Sequence, residues 1–203
     1  MRAPLPSNEN ACLAVLREYD ILDTAAEQAF DDIALVASHI GGTPIALVSL
    51  VDADRQWFKA RVGLEASETP RDQAFCAHTI LKPAENLVVP DATKDNRFAD
   101  SQHVTCYPSI RFYAGAPLVT PGGHAVGALC VIDRKPRQLA EDQVEALSAL
   151  SRQVSALLEL RRERAALKRV EAEREKLVCE VQRFSEGIRP KCRQLLLSGH
   201  TAG

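Results

Sequence analysis

From Leu139 onward no turn signal interrupts the chain until Gly187 and Pro190. That stretch of about fifty residues is far longer than the mean helix of a globular domain. It removes a quarter of the chain from any ordinary core and forces a long helix. Its apolar spacing has two parts. Leu147, Leu150, Val154 and Leu157 suit a helix lying on a domain. From Leu160 a heptad grid fits: Leu160, Glu163, Leu167, Val170, Arg174, Leu177, Val181, Phe184 and Ile188. Seven of these nine core positions are apolar, and with Leu160 at a, Glu159 falls at g and Arg164 at the following e, a pair that can meet across a parallel dimer. Between Val154 and Glu163 the steps are 3, 3 and 3, a local overwinding. The expectation is a homodimeric coiled coil; the alternative is an amphipathic helix folded back on its own domain.

The rest of the chain is long enough for one domain. Of its 203 residues 46% are hydrophobic, and net charge is −2. That balance gives no electrostatic case for nucleic acid or an acidic membrane. No run of eighteen apolar residues is present, so nothing predicts a bilayer span. MRAPLPSNENACL has no apolar signal-peptide core, which predicts a cytoplasmic protein. Six cysteines stand at 12, 76, 106, 130, 179 and 192 without a C-x-x-C pair. Reduced separate thiols and no structural zinc are expected.

A first helix is expected over Glu9–Tyr19, capped by Ser7 or Asn8. A second starts near Ala25, with Thr24 and Glu27 as a capping box, and stops at Gly41-Gly42. PIALVSLVD and QWFKARVG, joined by DADR, read as a hairpin over 44–62. Residues 72–81 suit a short helix, LVVPDA a short strand, and 91–109 a polar loop with one helical turn. IRFYAGAPLVT and HAVGALCVIDR, joined by PGG, form a second hairpin. Helices lie outside the strand block, so the class is α+β. The parts are an N-terminal helix and link over 1–24, a core over 25–138, the long helix over 139–189 and a flexible tail over 190–203.

This order, and the words YDILDT, FDDIALVAS, GTPIALVSLVDADRQWFKARVGL, TPRDQAFCAHTI, LVVPDATKDNRFAD, IRFYAGAPLVTPGGHAVGALCVIDR and QVEALSALSRQV, resemble the GAF domain family over about residues 8–160. They look like the GAF sensors ahead of bacterial histidine kinases and diguanylate cyclases. The resemblance implies a central antiparallel sheet of five to six strands, helices on one face and a loop-covered pocket on the other. It implies a small-molecule sensor whose flanking helices carry a signal to an output module, in cis or in trans. Only about forty residues follow the domain, so the chain is expected to be a fragment of a signalling protein or a small protein acting through its helix.

RDQAFCAHTI places Cys76 two residues from His78. On a helix, positions i and i+2 point about 200° apart, so the two are not expected to form a nucleophile–base pair. Bilin-binding GAF domains attach the pigment through Cys followed at once by His; here Ala77 intervenes. Haem ligation by either residue is chemically feasible. The remaining readings are a buried apolar thiol beside a wall histidine, a non-covalent pocket role, and a redox-sensitive thiol. Some GAF relatives reduce free methionine sulfoxide, and Cys76 with Cys106 is the corresponding candidate pair, although the flanking words differ. A ligand-free dimerisation scaffold is the last alternative.

Strand alternation puts Gln56, Phe58 and Ala60 on one face and Trp57, Lys59 and Arg61 on the other. Trp57 and Lys59 are expected towards the pocket. Asp91, Arg97 and Phe98 in PDATKDNRFAD are candidates for holding a polar ligand, against local ion pairing in a solvated loop. TKDNRFAD only loosely echoes the Asn-Lys…Phe…Asp-Glu signature of cyclic-nucleotide GAF domains. Phe75, Arg111 and Tyr113 complete the candidate lining. Gly115 marks a close approach or bend, and Cys130 is expected in the core. No catalytic or metal-binding residue is assigned.

Overall fold

The computed structural model describes residues 3–198, with side chains through 183. Both expected hairpins form. Strands β1 (Ile45–Val51) and β2 (Arg55–Val62) pair antiparallel, as do β5 (Phe112–Val119) and β6 (Ala125–Asp133). β1 also pairs with β6, which joins the two hairpins at the sheet centre. Two short strands, β3 (Glu68–Pro70) and β4 (Leu87–Val89), close the edges. The order is β3-β2-β1-β6-β5-β4, six strands, antiparallel throughout.

The sheet separates two apolar clusters. On one face, α1 (Glu9–Glu18), α2 (Gln28–Gly41) and the first turns of α5 (Glu141–Ser198) cover Val48, Leu50, Phe112, Leu118 and Leu129. On the other, α3 (Phe75–Thr79), α4 (Gln102–Thr105) and their loops cover Leu47, Phe58, Tyr113, Cys130 and Ile132. Strand alternation produces this division: Phe112 and Ala114 go to the helices, Tyr113 to the loops.

Three expectations are corrected. The second helix begins at Gln28, not Ala25, and Glu27, its N-cap, makes no side-chain capping bond. Thr24 and Glu27 form no capping box because both are recruited by Lys59, whose Nζ donates to Thr24 Oγ1 at 2.9 Å and pairs with Glu27 at 2.7 Å. The helix end at Gly42 is as expected, with φ of 58° in the left-handed region that glycine tolerates.

The second correction concerns the faces of β2. Val48 opposes Ala60 and Ser49 opposes Phe58, so Lys59 is the extra residue of a β-bulge. Lys59 and Ala60 therefore share the helix side. Trp57 packs there as well. Lys59 Nζ also donates to the Ala25 carbonyl at 2.6 Å and lies 5.5 Å from the Phe30 ring centroid. Trp57 and Lys59 thus face the helices, and Gln56 and Phe58 face the loops.

The third concerns the long helix. It is continuous from Glu141 to Ser198, through Gly187 and Pro190, where the sequence predicts an end and a tail from 190. Arg193–Leu197 are good helix formers, which favour continuation once the turn at Pro190 is passed. The chain divides into two units after Leu160. Within the first, Leu147, Val154 and Leu158 are buried against the sheet, and Gln143 Nε2 donates to the Ile40 carbonyl at 2.6 Å. Within the second, Leu167, Val170, Leu177 and Val181 of the heptad grid are exposed, as is Leu160 at the end of the first. Phe184 and Ile188 lie outside the described side chains.

Candidate functional site

Between the sheet and the loops lies a cavity of about 170 Å³. Ile45, Gln56, Tyr113 and Ile132 rise from the strands. Phe75 and Cys76 come from α3, and His103, Tyr107, Pro108 and Ile110 from α4 and the segment after it. Leu64, Ala66, Thr69 and Ala74 complete the wall. The lining contains no Asp, Glu, Lys or Arg.

Tyr113 organises the floor. Its hydroxyl is 2.6 Å from Thr79 Oγ1 and donates to Cys76 Sγ at 3.3 Å. Cys76 Sγ is in turn 3.8 Å from Cys130 Sγ. A Cβ on Gly115 would stand 2.2 Å from the Tyr113 hydroxyl, so the missing side chain lets the phenol lie along its own strand. The close approach expected at Gly115 is therefore made by a side chain two residues away, not by backbone.

Burial pushes the Cys76 thiol up, but the hydrogen-bonding Cys130, Ser49 and Tyr113 groups outweigh it and hold the thiol below its ordinary value. Cys130, hydrogen-bonded with Cys76 and itself buried, is pushed well above the usual thiol range. Tyr113 is also raised well above the usual phenol range, by burial and by the two adjacent thiols. Cys76 is thus the one member of this buried group whose proton affinity is lowered, and it lines the cavity together with Tyr113.

His78 does not join Cys76. The pair sits on α3, and the two side chains leave it on different sides, as helical geometry requires. His78 meets the edge of Phe98 at 4.8 Å between centroids and borders a separate cleft with Lys82, Glu85 and Arg97. Phe98 stacks on Phe75 at 4.1 Å, so it supports the wall from behind. Asp91 accepts from Thr93 and pairs with Lys94 at 3.0 Å, which holds its carboxyl below the usual range. Arg97 grips Asp95 with two bonds of 2.9 and 2.6 Å. Arg111 Nη1 donates to the carbonyls of Val104 and Ile110 at 2.8 and 3.0 Å. Of the ten candidate residues, Phe75, Cys76 and Tyr113 line the cavity.

Two wall residues were not singled out by the sequence. Gln56 Oε1 and His103 Nε2 are buried without a hydrogen-bond partner. Burial also lowers the pKa of His103, which keeps its imidazole neutral. Gln56 is legible as the strand-face companion of Phe58, which packs on the loop side. His103 sits in a polar loop segment that carries no pattern.

Comparison with known proteins places this geometry. A family model described as GAF domain matches residues 25–158, about two-thirds of the chain. A cyclic di-GMP phosphodiesterase of Pseudomonas aeruginosa is 45% identical over 152 residues, covering 74% of this chain and 26% of that protein. The chain thus spans about a quarter of the length of this relative. Among solved structures, a domain of a sensor histidine kinase from Sinorhizobium meliloti matches with a TM-score of 0.53 at 19% identity, over 72% of this chain and 99% of that one. The GAF domain of PixJ from Thermosynechococcus elongatus, in its blue-light absorbing form, matches at 0.54 and 18%, over 79% and 95%. At these identities the likeness is one of fold.

Proposed function

The chain belongs to the GAF domain family, and from that premise we propose that it is the small-molecule-sensing module of a bacterial signalling protein. The observation that carries this reading is the cavity beneath α3 and α4. Its volume of about 170 Å³ is close to the roughly 150 Å³ that accommodates benzene in an engineered apolar cavity. Sites for drug-sized ligands run to about 300–1,000 Å³. The size favours a compact metabolite over a bilin or haem, and the separation of Cys76 from His78 favours neither as a pigment anchor. No helix among the described residues is long and apolar enough to cross a membrane. In this reading the module works in the cytoplasm.

The guest acts by holding the α3 and α4 segments against the sheet, which gives it different contacts in the open and closed states. The signal leaves through α5. Its exposed stripe of Leu160, Leu167, Val170, Leu177 and Val181 supports a parallel homodimer in the heptad register. The output is a catalytic module in cis or in trans. Similarity to the Pseudomonas protein makes a cyclic di-GMP phosphodiesterase the favoured class, ahead of a histidine kinase or diguanylate cyclase. The module itself is read as having no catalytic activity.

Native mass spectrometry of the chain purified from its own host tests this directly. The expected species is a dimer carrying a non-covalent small guest that dissociates on gentle activation. A visible absorbance band from a covalent pigment, or a guest-free monomer at micromolar concentration, would refute it.

A second reading has its own observation: the 3.8 Å contact between Cys76 and Cys130. Hydrogen peroxide entering the cavity would convert Cys76 thiol to a sulfenic acid with release of water, and Cys130 would displace a second water to form the disulfide. Two thiols lose two electrons and two protons, and the peroxide is reduced to two waters. The partner is Cys130 in place of the sequence-based Cys106, because Cys106 is exposed and Cys76 buried. Peptide mapping after peroxide treatment decides: a Cys76–Cys130 bridge supports a thiol redox sensor, and two unmodified thiols end that reading.

A further inference from the structure

The sensory cavity has a chemical signature beyond its size. Its wall is apolar apart from a few neutral groups, and the cationic side chains near it are engaged outside the lining, Arg134 over the Tyr107 ring at 5.4 Å among them. Arg71 is held by both oxygens of Glu9 and by the Asp52 carbonyl, and Arg111 by two loop carbonyls. An anion entering the cavity would lose its hydration with no cation to replace it, and a cation would meet no carboxylate. Meanwhile two wall residues each keep one buried polar atom without a protein partner, Gln56 Oε1 on β2 and His103 Nε2 on α4. Buried polar atoms of native proteins are nearly always paired, so such atoms mark where a missing partner belongs. One lies on the sheet floor and the other on the covering helix.

We propose that the guest is a small, electrically neutral molecule with an apolar body and one polar edge, which donates to Gln56 Oε1 and hydrogen-bonds His103 Nε2. Its chemical class is that of a phenol, an indole, an aromatic alcohol or a small amide, not a nucleotide, carboxylate or amine. Ring atoms pack on Phe75, Ile45, Ile110 and Ile132. By joining Gln56 to His103 the guest links the sheet to α4, and so supplies the contact that distinguishes closed from open. His103 is neutral through burial, which suits it to such a guest and to no anion. This inference rests on the cavity being the sensory site.

Benzyl alcohol, benzoate and benzylamine share a ring and differ in charge, so they form a discriminating set. NMR titration of the full chain is expected to show saturable shifts at Phe75, Tyr113 and Ile132 with benzyl alcohol. Binding should be at least about tenfold weaker for benzoate and benzylamine. Gln56→Leu should weaken benzyl alcohol by about tenfold and leave toluene unchanged, since only the alcohol uses the amide. His103→Phe serves as an independent variant with the same expected pattern. Equal binding of either charged probe would overturn the proposal while leaving the sensory site standing. So would an unchanged alcohol-to-toluene ratio in both variants. Failure of all four probes to perturb the cavity would overturn the sensory site itself.

Discussion

The two faces of the sheet solve the burial of polar groups in opposite ways. On the helix face, the buried cation Lys59 has each of its needs met by Thr24, Ala25, Glu27 and the Phe30 ring. Around it Phe112, Leu118 and Leu129 are fully buried. On the loop face no charged residue lines the cavity, yet Gln56 Oε1 and His103 Nε2 in its wall go unpaired and space remains beside them. The helix face closes over its charge, and the loop face leaves neutral polar atoms beside a cavity; under the proposed function, incompleteness and not charge marks the site.

The sharpest way to break the comparison is a matched pair of truncations. Leu118→Ala on the helix face should cost about 4–5 kcal/mol in urea unfolding, because its packed surroundings cannot collapse. Ile132→Ala beside the cavity should cost about 2 kcal/mol, at the low end of the same range. Equal losses would mean that the two faces are packed alike. Lys59→Met comes next, at about 2–3 kcal/mol, since it leaves the Thr24 and Ala25 acceptors without a donor. The cost stays below that of breaking a fully buried pair because Glu27 keeps 42% of its side chain in solvent.

Gln56→Leu should go the other way, stabilising the empty protein by about 1 kcal/mol by removing an unpaired buried amide oxygen. A loss of stability would show that Gln56 is satisfied in solution. The smallest effect is on pH dependence. Burial lowers the proton affinity of His103 in the folded state, so the unfolded chain protonates first as pH falls below about 6.5. Stability should decline from there towards acid, and His103→Gln should flatten the decline in thermal melts. Tyr113 and Cys130 are raised, so the unfolded chain loses their protons first, and stability should also fall above about pH 8.5.

Much of the fold was legible because period-2 and period-3.6 patterns survive in the sequence. The hairpins, the Phe112–Tyr113–Ala114 alternation and the domain-facing Leu147 and Val154 all follow from spacing. In β2, Trp57 and Lys59 share a face as alternation has it, but that face is the helix side and not the pocket side, and a bulge brings Ala60 to it as well. Thr24 and Glu27 have the spacing of a capping box, but a buried ammonium outbids a helix end for their oxygens. At the site, Phe75 and Cys76 emerged from the RDQAFCAHTI motif, and Tyr113 from strand alternation in RFYAGAPL. His103 is brought to Gln56 only by tertiary folding, which leaves no local trace.

Gly115 has a consequence for selectivity. Because position 115 bears only hydrogen, the Tyr113 phenol can recline over it. A methyl group there would lift the ring like a shim under a floorboard and reduce the admissible guest by a few atoms. Under the proposed function, the capacity of the cavity is thus adjustable at a residue outside its lining.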